Sequence, residues 1–142
     1  MKIIFLDTNV IIDFLADRRP FSVTAAEIFN AALSGNVKIF ISSVSYNNIY
    51  YILRQSLSHT ETIKLLEQLS EMTEIADVTA SIIKKSLKSE FKDFEDAIQY
   101  NCALTISKLD FIVTRDSKDF KKSTLPVMNP QEAISIINSS SN

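Results

Sequence analysis

Residues 1–10, MKIIFLDTNV, carry the clearest structural signal in the chain. Ile3 to Leu6 form a continuous apolar run, and the acid Asp7 follows directly. A short β-branched and aromatic run without polar alternation is typical of a strand buried on both faces, as in a parallel sheet. Ligands of open α/β sheets bind outside the carboxyl ends of the strands. Asp7 is therefore either a functional carboxylate at such an edge or the cap of the helix that follows.

The composition predicts one globular domain rich in helices. The chain has 142 residues, of which 46% are hydrophobic and 23% are charged, which is enough apolar material for one well-buried core. One glycine and three prolines argue against a turn-rich all-β sandwich and favour long helices with short connections. We expect a single domain over residues 1–138, followed by a frayed tail at residues 139–142.

Charge and single residues exclude several classes of protein. The net charge of −2 gives no bulk attraction to nucleic acid, so a nucleic-acid partner needs local basic patches. Cys102 and His59 are each alone, which excludes an internal disulfide and leaves cysteine-based zinc sites without support. Met1 and Lys2 precede an apolar run too short for a signal peptide, and no run reaches the ~20 residues of a membrane span. We therefore expect a soluble cytoplasmic protein without a membrane partner.

Strand-like and helix-like segments alternate along the chain. Apolar β-branched runs predict strands at residues 3–6, 37–42, 74–78 and 111–114, with an edge strand at residues 127–128. Helical periodicity predicts helices near residues 10–15, 21–34, 43–56, 60–69, 79–87, 93–106 and 130–137. This alternation favours a three-layer α/β/α sandwich with a central, mostly parallel sheet.

Three acidic residues occupy matching places in this predicted fold. Asp7 ends the first strand, Asp116 follows the fourth strand, and Asp96 lies in the first turn of the helix before that strand. Because the carboxyl ends of parallel strands meet at one edge, we expect the three carboxylates to converge. Clustered carboxylates repel one another, and Mg²⁺ or Mn²⁺ relieves the repulsion by binding their oxygens. The expected chemistry is attack of a metal-activated water on a phosphoryl group.

Each acid also has a simpler structural interpretation. Asp93, Glu95 and Asp96 complement the dipole of a helix that begins beside them. Asp116 can be an ordinary turn acid next to Arg115. Two acids at strand ends, with a third of the right type, favour a functional site over these separate interpretations.

Three motifs give the sequence a resemblance to a known family. They are FLDTNVIIDFL at residues 5–15, DFEDAIQYNCAL at residues 93–104 and FIVTRDSKDF at residues 111–120. In their order and spacing, and over its whole length, the chain resembles the PIN domain, a nuclease fold found in VapC-type toxins of bacterial toxin–antitoxin pairs. The resemblance implies a metal-dependent endoribonuclease that acts on single-stranded RNA or tRNA and leaves 5′-phosphate and 3′-hydroxyl ends. It also implies an antitoxin protein as partner and a homodimer.

The resemblance implies roles for individual residues. Asp7 corresponds to the family's first metal-binding acid, Asp96 to its third and Asp116 to its more variable fourth. Asn9 and Thr114 correspond to supporting polar groups. These three acids are therefore the expected catalytic residues and the expected ligands of Mg²⁺ or Mn²⁺.

Asn48 departs from the family pattern, which has a glutamate at the corresponding place in the helix after the second strand. It is retained as a catalytic candidate because its amide oxygen can orient a water molecule, although it contributes no negative charge. With three carboxylates, one tightly held ion is favoured over two. Asp93, one turn before Asp96, is a supporting candidate for the missing charge, whereas Glu95 and Asp119 are expected to be surface acids.

Basic residues near the acids are candidates for binding the RNA backbone. Arg115 and Lys118 lie closest in sequence to Asp116 and are the leading candidates. Lys84 and Lys85 are interpreted as part of a solvated helix face.

Two other functions stay open on the sequence alone. Aspartate-nucleophile phosphatases also begin with a strand that ends in Asp, but they have a second Asp two residues later, where this chain has Asn9. The other alternative is a catalytically impaired PIN fold that acts as an RNA-binding or protein-interaction module, and Asn48 is the residue that favours it. The leading hypothesis is a Mg²⁺-dependent endoribonuclease, the toxin of a type II toxin–antitoxin pair.

Overall fold

The computed structural model describes residues 1–140 and contains one five-stranded sheet with helices on both faces. The strands are β1 (Lys2–Leu6), β2 (Val37–Ser42), β3 (Glu74–Ala76), β4 (Phe111–Val113) and β5 (Val127–Met128). Their order is β3-β2-β1-β4-β5, and every neighbouring pair is parallel. The predicted α/β/α sandwich is confirmed, and β1 is its central strand.

The helices connect the strands and follow them in sequence. They are α1 (Thr8–Leu15), α2 (Phe21–Leu33), α3 (Ser43–Leu53), α4 (His59–Met72), α5 (Ala80–Leu87), α6 (Phe94–Ala103) and α7 (Pro130–Ser140). A single 3-10 turn, Ser117–Phe120, follows β4. Within residues 1–140, none of the helices combines the length and the apolar character needed to cross a membrane.

Strand β1 is buried on both faces, as its apolar sequence predicts. Ile4 and Leu6 belong to a cluster that includes apolar residues of α1, α2, α3, α4 and α7. Phe5 lies on the opposite face and packs in a second cluster with Ile112 of β4 and residues of α5 and α6. Alternate residues of a strand point to opposite faces, so this run joins both helical layers to the sheet. Burying each large apolar side chain contributes roughly 1.5–3 kcal/mol to folding.

The carboxyl edge of the sheet is where the helices α1 and α3 begin. Asp7 follows β1 and caps α1, since its Oδ1 accepts a hydrogen bond from the N–H of Thr8 at 2.8 Å. Ser42 ends β2 and caps α3 through a bond from the N–H of Ser45 at 3.3 Å. Asp93 caps α6. Polar side chains in the first turns of α1 and α3 therefore lie at this edge.

Several element ends differ from the sequence prediction, among them the end of α6, which stops at Ala103 rather than near residue 106. β3 ends at Ala76 rather than residue 78, because the N–H of Val78 donates to the side-chain oxygen of Ser43 instead of to a strand. α3 ends at Leu53, and the chain turns over residues 54–56. α7 continues through Ser140, so the first half of the predicted frayed tail is helical, while residues 141 and 142 lie outside the described residues.

Candidate active site

Pairing of β1 with β4 brings two of the predicted residues together. Leu6 is opposite Val113 in the register, and the N–H of Asp7 donates to the carbonyl of Val113 at 2.9 Å. Asp7 therefore lies beside Thr114, although 107 positions separate them in sequence. The carboxyl end of β1 and the residue that follows β4 therefore lie at the same edge of the sheet.

Asp7 is the most buried acid of this edge, with 6% of the residue exposed. Its Oδ2 accepts a hydrogen bond from the hydroxyl of Thr114 at 2.8 Å, in addition to the capping bond at Oδ1. Burial raises the pKa of Asp7 from 3.8 to about 6, although both hydrogen bonds lower it. The charges of Glu95 and Asp116 raise the pKa further. Both oxygens are thus held in place while the negative charge stays poorly solvated.

Thr114 and Asn9 connect Asp7 to Asp116. The hydroxyl of Thr114 accepts bonds from the Asn9 amide at 3.4 Å and from the N–H of Asp116 at 3.1 Å. The same Asn9 amide nitrogen lies 3.4 Å from Oδ2 of Asp116. Asp116 itself is exposed. Asn9 and Thr114 thus contact the acids at this edge, and their supporting role in a metal site stays a prediction.

Asp96 approaches the same edge from the first turn of α6. Burial raises the pKa of Asp96 from 3.8 to about 7, and the charge of Asp7 is the next largest cause. The charges of Asp93, Asp119 and Glu95 raise it further. Oδ1 of Asp93 accepts a hydrogen bond from the N–H of Asp96 at 3.0 Å, so Asp93 is occupied as the helix cap. The charge of Asp7 therefore reaches Asp96, which places the two acids near each other at this edge.

Glu95 is exposed, as the sequence predicts for a surface acid, but it also interacts with residues of the site, which the sequence analysis missed. Burial raises the pKa of Glu95, and hydrogen bonds from Asn48 and Thr8 lower it. Asn48, on α3, is half-buried. A carboxylate from α6 therefore faces the amide that stands where the family has a glutamate. Asp119 is exposed, as predicted, although its charge reaches Asp96.

A buried hydroxyl and amide network lies beneath the acids. The side-chain oxygens of Thr8 and Ser45 are 2.8 Å apart, and the Gln99 amide nitrogen donates to both, at 3.2 and 2.9 Å. All three residues are buried, and Gln99 Oε1 has no hydrogen-bond partner within residues 1–140. The network joins α1, α3 and α6. Its only sequence signal is position: Gln99 is one turn after Asp96, and Thr8 follows Asp7.

Arg115 is held by an acid that the sequence analysis did not single out. Its guanidinium makes two hydrogen bonds to the carboxylate of Asp13, at 2.5 and 3.3 Å, and the Asp13 side chain is 1% exposed. The Arg115 Cζ also lies 4.1 Å from the centroid of the Phe21 ring. Arg115 is thus a fixed, partly neutralised group rather than a free cation.

Lys118 lines a cavity of about 290 Å³ next to the acids. Asp93 and Asp96 line the same cavity, together with Lys92, Lys121 and Lys122. Glu90 and Asp119 line the cavity as well, so its lysines lie among acids, and a lysine in this place can contact a phosphate that reaches them.

The donor set at this edge fits a divalent cation that keeps part of its water shell. Within the described residues, no three acidic, histidine or cysteine side chains are arranged to bind one ion together. Mg²⁺ usually takes one or two carboxylates and completes its shell with water and substrate phosphate. Asp7 and Asp96, whose ionised forms disfavour each other, match that smaller requirement.

A family model and a curated relative match the sequence of this chain. The family model described as PIN domain matches residues 3–118. Ribonuclease VapC1 of Aquifex aeolicus is 22% identical over an alignment of 134 residues that covers 91% of this chain and 91% of that protein.

Two solved structures are similar in fold. DNA-bound VapBC from Salmonella typhimurium matches with a TM-score of 0.69 and 19% identity, over 92% of this chain and 99% of that one. VapBC2 from Rickettsia felis, bound to a DNA fragment from their promoter, matches with a TM-score of 0.67 and 21% identity, over 89% and 98%. Because the family model spans most of the sequence, including the sheet edge that carries Asp7, Asp96 and Asp116, this chain belongs to the PIN domain family.

Proposed function

We propose that this protein is a Mg²⁺-dependent endoribonuclease and the toxin of a type II toxin–antitoxin pair. The observation that carries the proposal is the placement of Asp7 and Asp96 at one edge of the sheet, where burial raises their pKa values to about 6 and 7 and the charge of Asp7 adds to the shift of Asp96. Acids with separate structural roles do not have to lie close to one another. Carboxylates with shifted pKa values at a sheet edge are typical of functional sites. The similarity to Ribonuclease VapC1 supports RNA as the substrate class.

Asp7 and Asp96 would hold the metal ion, and Asp116 would face the water shell of the ion rather than bind it directly. When bound, Mg²⁺ supplies Lewis-acid stabilisation of a phosphoryl oxygen and lowers the pKa of water (Mn²⁺ can replace it). Thr114 keeps Oδ2 of Asp7 in one orientation by donating a hydrogen bond at 2.8 Å. Since both acids have raised pKa values, the metal-free site retains a proton near neutral pH that must leave before both can ligate.

The remaining residues position the RNA and the water. Lys118, on the wall of the acidic cavity, would contact a phosphate next to the scissile bond. Asn48 would orient the attacking water through its amide oxygen, while Glu95 supplies the negative charge that the amide lacks. Attack of water on phosphorus leaves a 5′-phosphate on one product and a 3′-hydroxyl on the other.

The proposed partners follow from the relatives. The similar structures are VapBC assemblies, which supports an antitoxin protein as the partner of this chain. By the same family resemblance, we expect the toxin to be a homodimer in the cytoplasm. A second function is favoured by one residue: Asn48 in place of a family acid fits a PIN fold that binds RNA or protein without cleaving.

Cleavage of a randomised single-stranded RNA in Mg²⁺ separates these functions. We expect the wild-type chain to produce 5′-phosphate ends, and Asp96→Asn to lose at least about 100-fold in rate, on the order of removing one key transition-state contact. Asp110→Asn is the matched control because Asp110 precedes β4, at the opposite end of the strand from the acids. Equal rates for wild type and Asp96→Asn would refute the assignment. RNA binding without any cleavage would favour the impaired module.

A further inference from the structure

A cavity of about 510 Å³ lies beside the acidic edge and has no part in the metal site. Its walls come from the start of α2, the end of β4 and the start of α7. The lining residues are Pro20, Phe21, Thr24, Arg115, Asn129, Pro130 and Gln131. This volume is within the roughly 300–1,000 Å³ typical of small-molecule sites.

The floor of this cavity is an aromatic ring stacked on a fixed guanidinium. Phe21 is 45% exposed, and the Arg115 Cζ is 4.1 Å from its ring centroid. Asp13, buried beneath, holds the guanidinium through two hydrogen bonds. A large exposed aromatic on a rigid support loses little entropy when a flat partner stacks on it. Arginine planes and aromatic rings are the surfaces on which unstacked RNA bases lie.

Charge favours a base over a phosphate here. Because Asp13 neutralises Arg115 and no lysine is among the lining residues, the cavity offers weak attraction to an anion. Hydrogen-bonding groups are nevertheless present, since Thr24 and Gln131 line the cavity with a hydroxyl and an amide. Such groups can pair with the edge of a base.

Position places the cavity next to the proposed cleavage point. Arg115 directly precedes Asp116, and the Arg115 N–H faces Oδ1 of Asn9 at 3.4 Å. One wall of the cavity and one acid of the proposed site are therefore carried by consecutive residues. An RNA strand whose phosphate reaches the acids passes next to this cavity, where a neighbouring base can enter.

We propose that this cavity is a nucleobase subsite, in which one base next to the scissile phosphate stacks on Phe21 over Arg115. The subsite rests on the proposed ribonuclease function and supplies one of its substrate contacts. It changes the role of Arg115 from a phosphate contact to a positioning residue that supports the stacking ring.

The chain has no tryptophan, so Phe21→Trp introduces a single fluorescent reporter at this position. In an Asp96→Asn background, which keeps the RNA intact, a randomised RNA ten-mer is expected to quench this fluorescence, and the matching abasic ribose-phosphate ten-mer is not. Leu33→Trp is the control because Leu33 is 67% exposed at the other end of α2, about 18 Å along the helix. Its fluorescence should not change.

Fluorescence anisotropy of labelled RNA, measured in parallel, shows whether a negative result concerns the base subsite or the proposed ribonuclease function. RNA that binds the Phe21→Trp variant without quenching its fluorescence overturns the base subsite and leaves the proposed function intact; the cavity would then serve another partner, such as a protein. Absence of RNA binding overturns both. In the cleavage assay, Phe21→Leu should raise KM about tenfold, the usual worth of one stacked base, and the neighbouring exposed Val23→Ala should not.

Discussion

Replacing Asp7 by asparagine should stabilise the metal-free protein while it abolishes cleavage. Burial raises the pKa of Asp7 from 3.8 to about 6, and each pH unit corresponds to about 1.36 kcal/mol, so the ionised carboxylate costs the fold about 3 kcal/mol. The asparagine side-chain oxygen can still accept from the Thr8 N–H, but its amide nitrogen would have to donate to the Thr114 hydroxyl, which now donates to Asp7. We expect this change to cost about 1 kcal/mol of stability. We expect Asp7→Asn to raise the free energy of unfolding by about 2 kcal/mol at pH 8.

The sign of the pH dependence follows from the raised pKa. Because folded Asp7 binds its proton more tightly than unfolded Asp7, wild-type stability is fully present below pH 3.8 and falls as the pH rises through about 6. Near pH 4.5 most of the cost is already relieved by protonation. The advantage of Asp7→Asn should therefore be present at pH 8 and nearly vanish at pH 4.5.

Urea denaturation followed by circular dichroism, in EDTA at the two pH values, measures this difference. Asp116→Asn is the matched control, since Asp116 lies on the same edge but is exposed, and its effect should stay within about 0.5 kcal/mol. An Asp7→Asn variant that is less stable than wild type at pH 8, or a difference independent of pH, would refute the reasoning. Added Mg²⁺ at about 100 times its Kd should stabilise wild type by about 2.7 kcal/mol and the variant much less.

Three further results are expected. Mn²⁺ binding should tighten from pH 5.5 to 7.5 and release about one proton per ion at pH 6.5, because Asp7 and Asp96 have pKa values of about 6 and 7. Calorimetry in two buffers of different ionisation enthalpy counts the released protons. Release of no proton would contradict a site that contains both acids. Arg115→Met leaves the buried Asp13 without its counter-charge and should lower the free energy of unfolding, measured in urea, by about 3 kcal/mol. Adding Asp13→Asn in the double variant should recover part of this loss. A loss under about 1 kcal/mol would show that the ion pair is dispensable for stability. Gln99→Leu removes the hydrogen-bond donor to two buried hydroxyls, so it should lower the free energy of unfolding by about 1–3 kcal/mol and should also lower kcat. Unchanged stability would mean that water replaces the amide.

The fold was predictable because its signals are local. An apolar run such as Ile3 to Leu6 has to be covered on both sides, and a strand between two helical layers satisfies this requirement. Asp7 directly follows that run, so its place at the carboxyl edge follows from the run itself. Asn9 and Thr114 were predicted from motifs that follow β1 and end β4, and the structure places both beside Asp7.

The residues that the sequence analysis missed depend on how helices approach one another. Gln99 reaches Ser45 across 54 positions because α3 and α6 begin at the same edge. Glu95 was interpreted as a surface acid, and its interaction with Asn48 exists only because those two helices converge. The sequence pattern around either residue contains no information about the distance between the two helices.

Arg115 shows the same limit for a charged group. Its position after a strand and before an acid predicts a contact with phosphate, and 102 positions separate it from Asp13. The buried face of α1 lies next to the end of β4, and this packing pairs the two charges and sets the guanidinium on Phe21.

The sequence by itself determined the strand and helix order, the parallel sheet and the acids that end β1 and follow β4, because hydrophobic periodicity and strand-end position are properties of neighbouring residues. The tertiary structure alone decided which carboxylates interact electrostatically, which hydroxyl groups form the network beneath them and which cation is neutralised. Those properties depend on burial and on distances of a few ångströms between distant segments, and burial sets the cost of each charge.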